Sequence, residues 1–233
     1  MRIWEFSDLH LRPGGSEAMH GFIDMACKEK PDLIIGLGDI LELLLNSWEE
    51  LLEDDESNWT MARMKNLAET IETWWLPGNH DLDLKEHQDY LEPIKVMDAV
   101  ELDGIHFEHG HRADPLTQYL WNPIYQSIWW SPPAFRQMCR LCPPLYKLLY
   151  PTPWEIKNKD EEGWKWYCSA YEVFYQGEVQ RDEVNYVHGH THQPFVMEMM
   201  NGLYLANSGD MVDSRTFLEI SGGKITLRGV HDG

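Results

Sequence analysis

Cysteine is scarce in this sequence. Its four cysteines, Cys27, Cys139, Cys142 and Cys168, are too few and too scattered for a disulfide scaffold. Cys139 and Cys142 form a lone C-x-x-C pair. With no second pair to complete a zinc site, they read as neighbours on a helix. Basic residues are scarce too: 19 Lys and Arg stand against 39 Asp and Glu, a formal charge of −20. Nucleic acid and anionic membranes both need a basic surface, so neither is expected as a general partner. No hydrophobic run approaches transmembrane length. Arg2, Glu5 and Asp8 interrupt the N-terminus where a secretion signal would need an apolar core. There is no internal repeat and no low-complexity linker. The expectation is a cytoplasmic chain folding as one domain over residues 1–233.

What the chain does have is a recurring design: an apolar run that ends in Gly, Asp or His. It occurs five times. The central copy is Leu76-Pro77-Gly78-Asn79-His80-Asp81, which follows the apolar run Thr73-Trp74-Trp75-Leu76. Pro77 and Gly78 stop that run and force a turn, leaving an amide, an imidazole and a carboxylate at one strand end. The other copies are Phe6-Ser7-Asp8-Leu9-His10, Gly36-Leu37-Gly38-Asp39, Phe107-Glu108-His109-Gly110-His111 and Val187-His188-Gly189-His190-Thr191-His192. Any one could be a loop satisfying its own hydrogen bonds. Five clusters of metal-ligand residue types at five strand ends point to a metal centre.

The order of elements predicts how these ends meet. A strand to Asp8, a helix opened by Ser16 and running towards Pro31, and the buried strand Leu33-Ile34-Ile35 make a β-α-β unit. Its strands are parallel, so Asp8 and Asp39 emerge at one sheet edge, the edge where α/β sheets bind ligands. Asp8 and His10, two apart in extended chain, point to one face. Residues 41–72 look helical, and seven carboxylates from Glu42 to Glu56 form a solvated acidic face. Glu42 stands apart because it lies three residues after Asp39. Asp103-Gly104, Asn201-Gly202 and Gly222-Gly223 mark hairpins, the last two suggesting a second, antiparallel sheet. Either His109 or His111 suffices as a ligand, and His109 is nearer the strand end.

Residues 112–181 differ in character, with six of the eleven tryptophans and seven of the ten tyrosines. Prolines cut this stretch into expected helices at Thr117–Trp130, Ala134–Cys142, Leu145–Tyr150 and Gly163–Gln176. It reads as an inserted helical cap whose aromatics form its own small core, an apolar wall over the site or a homodimer face.

Taken in order, the motifs D-x-H, G-D, G-N-H-D, H-G-H and G-H-x-H resemble the calcineurin-like metallophosphoesterase superfamily. The resemblance covers residues 1–111 and 185 onward, without the cap. It implies an α/β fold, a four-layer α/β/β/α sandwich with two divalent metal ions at the strand ends. One ion would take Asp8, His10, Asp39 and His192, and the other Asp39, Asn79, His109 and His190, with Asp39 bridging. Two ions roughly 3.5–4 Å apart activate water against a bridging phosphate. Imidazole and oxygen ligands suit Mn²⁺, with Fe²⁺, Co²⁺ or Zn²⁺ as alternatives.

His80, Glu42 and Asp81 are the catalytic candidates. The resemblance gives His80 the task of protonating the leaving oxygen, suited to its ~6.5 reference pKa. Glu42 would hydrogen-bond it and fix its tautomer. The implied activity is hydrolysis of phosphomonoesters or phosphodiesters, with the cap selecting the substrate. Among relatives, the long cap looks like that of the UDP-diacylglucosamine pyrophosphatases, which act on a nucleotide-linked lipid. Those enzymes carry Arg at the position of His80 and Asp at that of His111, and the basic residues of this cap are spread among acids. A third reading is a non-catalytic metal-binding scaffold.

Overall fold

The computed structural model describes residues 1–113 and 161–230. Eleven strands among them form two sheets. The first has the order β11-β10-β1-β2-β3-β4. Strands β1 (Arg2–Phe6), β2 (Leu33–Leu37), β3 (Glu72–Leu76) and β4 (Lys95–Val96) run parallel. Strands β10 (Thr216–Ser221) and β11 (Lys224–Gly229) extend the sheet antiparallel on the far side of β1. The second sheet has the order β5-β6-β7-β9-β8. In it β6 (Ile105–Glu108), β7 (Asn185–His188) and β9 (Tyr204–Asn207) are parallel, with β5 (Val100–Leu102) and β8 (Phe195–Glu198) antiparallel at the edges.

Alternation along each strand builds the layers. Ile3, Leu33, Ile35 and Leu37 from the first sheet meet Val100, Ile105, Phe107 and Val187 from the second, giving a dry core between them. The opposite face of the first sheet, Trp4, Phe6, Ile34 and Trp75, packs on Phe22 of α1 (Glu17–Glu29) and Met61 of α3 (Asp55–Ala68). The short helix α4 (Gln88–Leu91) precedes β4, and the outer face of the second sheet is covered by α5 (Glu161–Asp182), whose Tyr171, Tyr175 and Val179 pack on Tyr186 and Leu205. The result is the expected α/β/β/α sandwich.

Local signals explain the boundaries. The Ser16 hydroxyl accepts the Met19 N–H and starts α1. Residues 41–72 divide rather than forming one helical stretch. Ser47 and Glu50 close a capping box on α2 (Trp48–Glu53), and Asp54 then caps α3 by accepting from Ser57. Leu41 instead bridges to Leu11, so Glu42 lies in a loop and not on an acidic helix face. The hairpin at Gly222-Gly223 also departs from expectation, because it joins β1 in the first sheet. Of the segment expected as a cap, residues 161–182 form α5, the fourth layer; it runs beyond the expected Gly163–Gln176. The helices expected at Thr117–Trp130, Ala134–Cys142 and Leu145–Tyr150, with Cys139 and Cys142, fall outside the described residues. Among the described residues no helix is long and apolar enough to cross a membrane.

Candidate metal centre

All five strand-end motifs converge where β1, β2, β3, β6 and β7 finish. The chain reaches this arrangement through left-handed backbone and not through the extended spacing read from the sequence. Asp8 (φ 52°), His10 (φ 46°), Asp39 (φ 51°), His190 (φ 70°) and His192 (φ 55°) all have positive φ. Residues other than glycine adopt this region at a cost, and such outliers gather at functional sites. Each kink turns the chain back on itself, so ligands two apart face one point without a strand. Backbone bonds then lace the first two loops together: Asp8 N–H to Gly38 O at 3.1 Å and His10 N–H to Asp39 O at 2.8 Å.

Three groups of donor atoms lie within 4.8 Å of one another: Asp8, His10 and His192; His10, Asp39 and His80; and Asp39, His109 and His190. In the first group His192 Nε2 is 3.1 Å from Asp8 Oδ1 and 3.4 Å from His10 Nε2. In the last group His109 Nε2 is 3.3 Å from Asp39 Oδ2 and 3.2 Å from Asn79 Oδ1. Asp39 therefore stands between the two sets, and the structure brings all seven expected ligands together. His111 is buried beside them, its ring centroid 5.5 Å from that of His109.

These residues fit a cation. Asp8 Oδ1 is buried and faces two imidazole nitrogens, His192 Nε2 at 3.1 Å and His10 Nε2 at 3.8 Å, without an aligned hydrogen bond, an arrangement that is costly unless a positive charge satisfies it. Burial alone would lower the pKa of His109, but the Asp39 and Asp8 carboxylates outweigh it and push the imidazole up to about 10. The cluster thus draws positive charge to this point. The glycines make room for it. A Cβ on Gly78 would sit 2.1 Å from Asp39 Oδ1, and one on Gly189 would sit 2.7 Å from Asp8 Oδ2. Oxygen and imidazole donors without thiolate suit first-row divalent ions.

Around the ligands sits a shell of acceptors that sets the rings. His109 Nδ1 donates to Leu37 O at 2.8 Å, which leaves Nε2 free to face Asp39. Glu42 is buried and takes two imidazoles at once, His80 Nδ1 at 2.8 Å and His10 Nδ1 at 3.2 Å. The contact to His10 had no signal in the sequence, because it depends on the path of the loop after Leu41. Burial would raise the Glu42 carboxyl, but the charge and hydrogen bonds of His80 and His10 prevail and hold it down at about 2. Burial would likewise lower His80, yet Glu42 and Asp39 push it up to about 9. Both shifts favour a carboxylate paired with an imidazolium.

Asp81 faces the backbone. It is fully buried, and its oxygens accept N–H bonds from Gly78 (2.6 Å), Asp39 (3.2 Å), Ile40 (2.7 Å) and Leu41 (3.1 Å). It ties the β2 and β3 loops into one piece. Asp210, which the sequence reading did not single out, is buried with Oδ2 3.9 Å from His192 Nδ1.

A two-sheet sandwich with these acid and imidazole groups gathered at its strand ends is an arrangement able to hold divalent ions. The model of one family, the calcineurin-like phosphoesterases, matches residues 1–194, and the chain belongs to that family. None of the curated proteins compared matches it significantly. Solved structures similar to it include Yfce, a phosphoesterase from E. coli, at 14% identity and a TM-score of 0.49 over 99% of this chain and 100% of that one. Vps29 from Entamoeba histolytica, complexed with zinc, is 13% identical with a TM-score of 0.43, over 98% and 97% of the two chains. The nuclease MPE from Pseudomonas putida is 10% identical with a TM-score of 0.44, over 97% and 87%. These identities are too low to transfer an activity.

Proposed function

We propose that this chain hydrolyses phosphomonoester or phosphodiester bonds with two divalent ions, Mn²⁺ by preference. Asp8, His10, Asp39 and His192 hold one ion, and Asp39, Asn79, His109 and His190 hold the other. When bound, the ions supply Lewis acidity to phosphoryl oxygens and a lowered pKa to water. The protein residues do the rest. His10 and His192 are the partly exposed members of the cluster, so the phosphate approaches from their side. His80, protonated and held at Nδ1 by Glu42, presents Nε2 3.9 Å from Asp39 Oδ2. From there it donates a proton to the departing oxygen. Asp81 fixes the loops that carry Asp39, Asn79 and His80 and touches no substrate.

One observation carries this reading: the buried His80–Glu42 pair stands directly against the Asp/His cluster. A scaffold that only binds metal has no use for a poised acid. The test is a panel of aryl phosphomonoesters, phosphodiesters and nucleotide-linked pyrophosphates assayed with Mn²⁺. Turnover of simple esters is expected. Turnover confined to a nucleotide-linked lipid or sugar pyrophosphate would assign the chain to the pyrophosphatase reading, and metal binding without turnover to the scaffold.

A further inference from the structure

Helix α5 reaches under the two loops that carry the imidazoles of the second ion. The register of the second sheet sets Glu108 of β6 opposite His188 of β7, so His109 and His190 leave the sheet side by side. Both loops rest on two tyrosines one helical turn apart. The Tyr175 hydroxyl donates to Glu108 Oε1 at 2.7 Å and lies 3.5 Å from Gly110 O. Its ring stacks on His188 at 4.5 Å with planes 12° apart. The Tyr171 ring is 5.2 Å from that of His188 and 5.9 Å from that of His190. Gly110 completes the fit. At φ +98° a Cβ there would come within 2.1 Å of the Tyr171 hydroxyl and 3.1 Å of the Tyr175 hydroxyl. The loop after His109 is thus seated on both phenols through bare backbone.

We propose that Tyr171 and Tyr175 are positioning residues for the second ion, acting through Glu108, Gly110 and His188 on the placement of His109 and His190. The contacts of α5 reach the loops of His109 and His190, the imidazoles assigned to the second ion. The inference rests on the two-ion reading above. Ordinary aromatic packing is the competing account, and the hydroxyls separate the two. Packing needs the rings, whereas positioning needs the Tyr175 O–H and the missing Cβ at Gly110.

The experiment titrates metal-stripped protein with Co²⁺ alone, following absorption and binding heat. The wild type must first bind two ions; if it binds fewer, the two-ion reading fails and this inference falls with it. Given two ions, Tyr175→Phe and Gly110→Ala should each weaken one of them by about 10- to 100-fold, the usual cost of losing an outer-shell partner. The other ion should keep its wild-type affinity. Tyr186→Phe serves as the control, since its hydroxyl bonds Asp182 at 2.6 Å in the same core without touching either loop. Cooperative thermal unfolding of the metal-free variants checks that each is folded. Wild-type affinity for both ions in Tyr175→Phe and Gly110→Ala would overturn the proposal. So would an equal loss in Tyr186→Phe.

Discussion

One oxygen of Glu42 lies 2.8 Å from Nδ1 of His80, and the other lies 3.2 Å from Nδ1 of His10. A single carboxylate therefore orients both the proposed acid and a proposed ligand of the first ion. Each imidazole is left with Nε2 turned to the centre, one to give a proton and the other to hold a cation.

Glu42→Gln should separate these two duties. As the acid loses its partner, esters with poor, high-pKa leaving groups should slow by about 10²–10⁴-fold while activated aryl esters slow far less. Through His10, the first ion should also bind about tenfold more weakly. Rates of a leaving-group series, measured at saturating metal, distinguish the effects. Equal slowing across the series would make Glu42 a support for the loop only.

Asp81 answers to a different measurement. Asp81→Ala leaves four buried N–H groups without an acceptor and should cost about 2–5 kcal/mol of stability, read by denaturant unfolding. Turnover should fall together with metal retention, because the loops bearing Asp39 and Asn79 lose their tie. A variant of wild-type stability that binds metal but does not turn over would show that Asp81 acts in the chemistry itself.

Much of this site was legible in the sequence because strand-end motifs need only correct strands to meet. The parallel β1–β2 pair followed from the strand–helix–strand order, and Ser16 and the glycine turns marked their elements through local chemistry. Three features were not legible. The spacing of Asp8-Leu9-His10 predicts an extended chain, whereas paired left-handed residues deliver the ligands, and φ is not written in residue type for Asp or His. The hairpin at Gly222-Gly223 joins the first sheet and not the expected second one, because alternation specifies a face and not a partner. The seat of Gly110 on Tyr171 joins residues far apart in the chain, and nothing in the tyrosine spacing specifies that α5 covers the second sheet.

The choice between His109 and His111 is open to a direct test. His109 Nε2 faces Asp39 and Asn79, so His109→Ala should release one ion of the pair and reduce turnover by several orders of magnitude. His111→Ala should retain both ions. Elemental analysis of the two purified variants decides it, and loss of metal from His111→Ala alone would reverse the assignment.

On the proposed mechanism, Asp39 joins two ions into one hydrolytic centre. Metal-stripped protein reloaded with Mn²⁺ should bind two ions per chain and release aryl alcohol from an aryl phosphate in proportion to the second ion bound. Asp39→Asn, prepared in the same way, should lose most of that metal and nearly all turnover. Full two-ion occupancy in Asp39→Asn, or wild-type protein that hydrolyses the ester with no metal bound, would contradict the account.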